Sequence, residues 1–395
     1  MGGFNLRRAG ELIDSGTAFL KGMNTPHLVI ACGGTGGHFY PTVAIGQAFQ
    51  KLGGKVTLLV AGKHFSTQMD FAERQGIDAL AVPAVQMPTG VVDALTFPFR
   101  FAQCYFVARR CIRELKPDLM LGMGSYASVA TCLARPSHIP LVLHEGNAFM
   151  GKANRLLAGR LANLLAARAC AVGLSLPLEK PSQCCGLVSK LVGMPLRSAL
   201  LTAAAQPSQI AGNPDKATIL IFGGSQGARA INGLLEQTAP LLRPFSSRLH
   251  LIHLTGTDDN DALINAYHSA GLSAEVLRAE PAIEKCYQAA DLVICRGGAS
   301  NLCELALFGK PVVVIPLPTA ADDHQSANAR YAVSIHGAIH LPQAQATPQK
   351  LLSIFQQYLE NPAEFRKMGE NLHAIAKTEA AQEMASFLFQ LTENR

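Results

Sequence analysis

The chain has 395 residues, 49% hydrophobic and 16% charged, which excludes a disordered chain and leaves room for two domains with a core each. Its 34 basic against 28 acidic residues give a net charge of +6, a surplus that suits an anionic small molecule or lipid surface and is too slight to mark a nucleic-acid binder. Ten cysteines show no paired CxxC framework, and Cys32, Cys132, Cys295 and Cys303 sit in apolar runs, the pattern of reduced thiols in a cytoplasmic protein.

Residues 1–25 read as an N-terminal extension whose weak apolar tract is broken by Glu11 and Asp14, unlike a secretory signal; Met23 offers a second start. No apolar run reaches the roughly 18 to 20 residues needed to cross a membrane. The first half then alternates strands and helices. His27 to Cys32 reads as a buried strand, followed by the glycine loop Gly33-Gly34-Thr35-Gly36-Gly37-His38 and a helix from Pro41 to Leu52. Further strands are expected at Val56 to Val60, Asp118 to Gly122 and Pro140 to His144. Such continuous apolar strands between helical patterns predict a parallel sheet covered on both faces.

Residues 178–216, rich in proline, serine and glycine, read as an interdomain connection. The same grammar then restarts. Ala217 to Phe222 predicts a strand, Gly223-Gly224-Ser225-Gln226-Gly227 a second glycine loop, and Ala228 to Leu242 a helix. Strands follow at Leu249 to Leu254, Asp291 to Cys295 and Val312 to Ile315, and an amphipathic helix at Glu379 to Leu391. Glycine loops after strands let a diphosphate approach backbone N–H groups, helped by the positive end of the next helix.

Four segments carry candidate chemistry. His38 stands where a helix begins, whose positive end would keep the imidazole neutral and available as a base; a plain polar loop residue is the other reading. In the turn after Cys295, Ser300 is expected to cap a helix ending at Gly309, and Glu304 falls one turn in, where a carboxylate can accept both ribose hydroxyls or simply meet the helix dipole. The run Asp322-Asp323-His324-Gln325 follows a strand, where amide bonding to a sugar fits better than a metal. In residues 97–113, Phe101, Tyr105, Ala108 and Ile112 share a helical stripe beside Arg100, Arg109, Arg110 and Arg113, which fits an anionic membrane surface or ordinary core packing equally.

Taken in order, GGTGGHFYP (33–41), KPDLMLGMGSYAS (116–128), HEGNAFMGKANRLLA (144–158), GMPLR (193–197), GGSQGAR (223–229), CRGGASNLCELALFGKP (295–311) and ADDHQSANA (321–329) resemble the MurG family of peptidoglycan glycosyltransferases. The resemblance implies an α/β chain of GT-B architecture, two Rossmann-like domains whose parallel sheets face a cleft. It implies an acceptor and membrane domain at 26–195, a UDP-GlcNAc domain at 196–375 and a final helix, 376–395, returning to the first domain. The implied reaction moves GlcNAc, with inversion, from UDP-GlcNAc to undecaprenyl-diphosphate-MurNAc-pentapeptide (lipid I), forming lipid II for the cell wall at the cytoplasmic face of the inner membrane.

By motif, the donor would meet Thr35, Gly36, Gly37, Asn147, Arg197, Ser225, Glu280, the segment Ala299, Ser300, Asn301, Leu302, Cys303 and Glu304, and Gln325. Glu304 would hold the ribose, Arg197 and Ser225 the diphosphate, and Gln325 the sugar. His38, as the base, and Glu304 would be the catalytic residues, with Gly33, Gly34, Gly36 and Gly37 receiving the acceptor diphosphate. The resemblance calls for no metal and no cofactor, and no nucleic-acid partner. It departs from the family pattern at Ser125 (usually Gly), Gly146 (usually Gln), Met194 (usually Asn) and Glu280 (usually hydrophobic). Two other readings stay open: a UDP-GlcNAc epimerase of the same fold, and a GT-B transferase with another lipid acceptor.

Overall fold

The computed structural model describes residues 25–34, 36–62, 65–85, 88, 90–159, 170–206, 216–224 and 229–393. The first half runs β1 (His27–Gly33), α1 (Gly36–Lys51), β2 (Lys55–Ala61), α2 (Phe65–Arg74), β3 (Asp78–Ala81), α3 (Val91–Leu115), β4 (Leu119–Gly122), α4 (Tyr126–Leu133), β5 (Leu141–Glu145), α5 (Lys152–Ala158), β6 (Ala171–Leu174), β7 (Val188–Leu191) and α6 (Ser198–Ala205). The second runs β8 (Ala217–Phe222), α7 (Arg229–Leu242), β9 (Leu249–Leu254), α8 (Asp261–Ser269), β10 (Ser273–Leu277), α9 (Ile283–Ala289), β11 (Leu292–Cys295), α10 (Ala299–Leu307), β12 (Val312–Val314), α11 (His324–Ser334), β13 (Ala338–His340), α12 (Pro348–Glu360), α13 (Pro362–His373) and α14 (Ala380–Glu393).

Two parallel sheets result, ordered β3-β2-β1-β4-β5-β6-β7 and β10-β9-β8-β11-β12-β13. Their central strands are apolar on both sides because both sides are covered. In β1, Val29 and Ala31 enter one core while Leu28, Ile30 and Cys32 enter the other; in β8, Ile219 and Ile221 separate from Leu220 and Phe222 in the same way. Each sheet reverses strand order beside its first strand, between β1 and β4 and between β8 and β11. Ligands bind α/β sheets in the crevice at such a reversal.

The halves share a core: Ala148, Leu176, Met194 and Leu196 pack with Leu302, Cys303 and Leu305 of α10. The last helix, α14, buries Ala381, Met384, Ala385 and Leu388 with the β1 residues Leu28 and Ile30 and with Phe49 of α1.

Three expectations from sequence need correction. The helix after the first loop begins at Gly36, so Pro41 lies inside it and His38 in its first turn. Residues 178–216 are not simply a connection, since β7 forms the edge strand of the first sheet and α6 follows; β7 is exposed throughout, which is why its residues look like loop. Ser300 does not cap α10, whose N-cap is Gly298.

Candidate active site

A cleft of about 440 Å³ opens between the two switch points, within the roughly 300–1,000 Å³ range of small-molecule sites. The first turn of α1 supplies Gly36, Gly37 and Tyr40; the segment after β7 supplies Pro195, Leu196 and Arg197; the second domain supplies Gly224, Gly256, Arg278, Glu280, Tyr287, Ser300, Asn301 and Glu304. The backbone before α1 is tight: Gly33 has φ +137, and a Cβ there would stand 1.8 Å from the Ala61 carbonyl oxygen, so no other residue fits.

Glu304 is the chemical centre of the second domain's wall. Its Oε2 accepts a hydrogen bond from the Tyr287 hydroxyl at 2.8 Å. Burial raises the Glu304 carboxyl above its ordinary range, opposed by the Tyr287 hydrogen bond and the nearby Arg197 charge, with Glu284 adding to the rise. Arg197, at the N-cap of α6, lies 4.8 Å from the centroid of the Tyr40 ring of the other domain. Its Nε is buried with no hydrogen-bond partner among the described residues. A carboxylate that can take ribose hydroxyls therefore faces the same cleft as a guanidinium that can take a diphosphate.

His38 belongs to a second polar cluster, at the carboxyl ends of β4 and β5. Its pKa is lowered chiefly by burial rather than by the helix end, partly offset by the Glu145 charge and a hydrogen bond to the Met123 backbone; His324 lowers it further. Glu145 is 3% exposed and accepts four hydrogen bonds, from Asn147 N and Nδ2, Gly151 N and Asn154 Nδ2, at 2.9 to 3.0 Å. Beneath it His144, held by the Ser175 hydroxyl at 3.0 Å, is pushed down to about 3 by burial. Asn147 also accepts from Nδ2 of Asn328 at 3.1 Å, across the domain boundary. Gln325, at the start of α11, accepts from the Leu317 N–H at 2.9 Å.

Of the residues singled out from sequence, Gly36, Gly37, Arg197, Glu280, Ser300, Asn301 and Glu304 line one cleft. Ala299, Leu302 and Cys303 instead turn into the core beneath it. Gly33, Gly34, His38, Asn147 and Gln325 are outside the cleft lining. Thr35 and Ser225 lie outside the described residues. Glu280 bonds its own turn, Oε1 accepting from Ala282 N at 2.8 Å. Sequence reasoning missed Tyr40 and Tyr287, one in a motif otherwise valued for its glycines, the other a full element away from its partner Glu304. Among the described residues, no three His, Cys, Asp or Glu side chains gather as a metal site.

The stripe expected to face a membrane is placed otherwise. Ala108 and Ile112 are fully buried, and Phe101 and Tyr105 pack on the first domain's core. Arg109 donates to the Ala134 carbonyl at 2.9 Å, while Arg110 pairs with Glu114 and Arg113 is exposed. The most exposed large apolar residues described on α3 are Leu95, Phe99 and Phe106, at 70%, 80% and 68%, with Val107 less so at 38%. No helix among the described residues is long and apolar enough to cross a membrane.

Two parallel Rossmann-like sheets, each turning its switch point to a shared nucleotide-sized cleft, define the GT-B architecture. Residues 28–166 match the glycosyltransferase family 28 N-terminal domain and residues 218–385 the family 28 C-terminal domain. The chain is 34% identical over 357 residues to the UDP-N-acetylglucosamine--N-acetylmuramyl-(pentapeptide) pyrophosphoryl-undecaprenol N-acetylglucosamine transferase of Verminephrobacter eiseniae, covering 90% of this chain and 96% of that one. It is 32% identical to the protein of the same name from a Geobacter species, with coverages of 93% and 97%. Its fold matches the crystal structure of Acinetobacter baumannii MurG with a TM-score of 0.71, at 28% identity, over 93% of this chain and all of the other. The chain belongs to glycosyltransferase family 28, and within it to the MurG family. A UDP-GlcNAc 2-epimerase from Neisseria meningitidis, 13% identical with a TM-score of 0.62, shares the fold alone.

Proposed function

We propose that this chain transfers GlcNAc from UDP-GlcNAc to the muramyl C4 hydroxyl of lipid I, yielding lipid II and UDP with inversion at the anomeric carbon. The observation that carries the reading is the convergence of Glu304 and Arg197 on one cleft, joined by the family to which the chain belongs. In this reading the cleft holds UDP, with the ribose on Glu304 and the diphosphate on Arg197 and the first turn of α1. The acceptor oxygen attacks C1 of GlcNAc, the bond from C1 to the β-phosphate oxygen breaks, and its electron pair leaves with UDP. The acceptor's proton passes to His38, which is neutral near pH 7 because its pKa is lowered. Glu145 nearby would stabilise the imidazolium as it forms. Residues 26–195 then serve acceptor and membrane, 196–375 the donor, and 376–395 ties the chain end to the first domain. The protein would work peripherally at the cytoplasmic face of the inner membrane.

UDP release with a lipid I analogue tests this. His38→Ala is expected to lower kcat by about 10²- to 10⁴-fold, the usual worth of a general base. Glu304→Ala is expected to raise KM for UDP-GlcNAc more than it lowers kcat. Full turnover in both variants would remove the assignment, and UDP-ManNAc formed without acceptor would favour the epimerase.

A further inference from the structure

The two aspartates of the Asp322-Asp323-His324-Gln325 run find no use in the transfer chemistry, yet the backbone is strained to place them. Asp322 has φ 55 and ψ 23, and Asp323 φ 52 and ψ 30, a left-handed conformation unusual for residues other than glycine. The result is that Asp322 reaches the other domain. Its carboxylate, only 14% exposed, lies 3.0 Å from Arg155 Nη2 and 3.6 Å from Lys152 Nζ, both on α5. Arg155 is itself held over the Phe149 ring at 5.2 Å.

Two more contacts tie α11 to the first domain. Asn328, fully buried, accepts from the Ala148 N–H at 2.8 Å and donates to Asn147 Oδ1 at 3.1 Å and to the Gly297 carbonyl at 2.9 Å. Arg330 pairs with Glu179 at 2.8 Å and, on its other side, with Asp323 at 3.5 Å. Gln325 stands between these ties. Its backbone packs so closely on Gly297 that a Cβ there would meet the Gln325 carbonyl oxygen at 2.5 Å. A shift of the start of α11 therefore moves Gln325 relative to the cleft wall.

We propose that Asp322 is a positioning residue for the donor sugar: bridged to Arg155 and Lys152 across the domain boundary, it fixes the start of α11 and thereby the Gln325 amide. The inference rests on the reading of Gln325 as a contact of the GlcNAc ring. It makes recognition of the sugar, as distinct from the nucleotide, depend on an ion pair between domains.

The test compares affinities for UDP and UDP-GlcNAc by titration calorimetry in the native chain, Asp322→Asn and Arg155→Met. Asparagine tolerates left-handed backbone as aspartate does, so Asp322→Asn removes charge with little change of conformational preference. Because hydrogen bonds to charged groups are the stronger kind, each variant is expected to weaken UDP-GlcNAc binding about tenfold while UDP stays within about twofold. The double variant should be no weaker than Asp322→Asn alone, which already removes the charge that both Arg155 and Lys152 meet. Raising salt should erode the native preference for UDP-GlcNAc and leave that of Asp322→Asn flat. Equal weakening of both ligands, or of neither, would overturn the proposal. A native chain that binds neither ligand would instead overturn the donor reading and take this inference with it.

Discussion

At the scale of single residues, the hydrogen bond from Tyr287 to Glu304 favours the charged form of the carboxylate proposed to hold the ribose. Burial favours the neutral acid, and the phenol and Arg197 oppose it. Tyr287→Phe removes one of the two opposing influences, so the carboxyl pKa rises further and the fraction ionised near neutrality falls. A hydrogen bond to a charged group is worth roughly 1.5–3 kcal/mol, so KM for UDP-GlcNAc is expected to rise at least about tenfold near pH 7 with kcat little changed. The acidic limb of 1/KM should also move to higher pH, which lost packing alone would not cause. A KM profile superimposable on that of the native chain would show that Tyr287 only fills space. The departures from the family pattern are legible at this scale too. A Cβ at Gly146 would lie 3.4 Å from the Met194 Cε, so the small residue at one position and the large one at the other occupy a single space between the domains. Sequence could flag both positions but could not show that they touch.

At the scale of elements, α3 shows how far periodicity carries. The stripe of Phe101, Tyr105, Ala108 and Ile112 correctly marks a helix and one apolar face, but periodicity gives no sign of which side that face meets. At about 100° per residue, Leu95, Phe99 and Phe106 form a second stripe roughly 130° round from the first. Only burial separates the two: the first stripe covers the sheet and the second is exposed. The membrane contact proposed for this domain therefore moves to Leu95, Phe99 and Phe106, with Arg113 on the same side. Phe99→Glu with Phe106→Glu is expected to cut co-sedimentation with phosphatidylglycerol vesicles by at least about tenfold, since burying a ring is worth roughly 1.5–3 kcal/mol. UDP release to a water-soluble acceptor should be unaffected. Unchanged co-sedimentation would remove this face as the contact. Strands β1, β2, β4, β5, β8, β9, β11 and β12 were legible for the opposite reason: covered on both sides, they are largely apolar, so no choice of face arises, whereas β3, β6, β10 and β13 were not read, β3 and β10 being largely outside the core. The exposed edge strand β7 has no such run and was read as connection.

At the scale of the whole molecule, burial of neutral histidines in both domains sets the response to acid. His144 under the first sheet's switch point and His253 in β9 are both pushed down to about 3 by burial. His253 is fully buried, bonded to the Tyr267 hydroxyl at 2.8 Å and to Asn232 Oδ1 at 3.1 Å. With an unfolded pKa near 6.5, each side chain takes up a proton in the unfolded chain that the folded chain refuses. Their contribution is complete above about pH 6.5 and is lost as pH falls toward the folded value. Each histidine should therefore cost about 1.4 kcal/mol per pH unit below 6.5, or roughly 2 kcal/mol between pH 7 and pH 5. His38, also lowered, acts in the same direction, whereas Glu304, raised, acts against it nearer the carboxylate range. Because each domain holds at least one such histidine, neither domain escapes, and urea unfolding should weaken in both between pH 7 and pH 5. His253→Gln is expected to be less stable at pH 7, having lost its buried network, yet to show a pH slope shallower by about one proton in the second domain. Parallel slopes for the variant and the native chain would mean that His253 does not govern acid sensitivity.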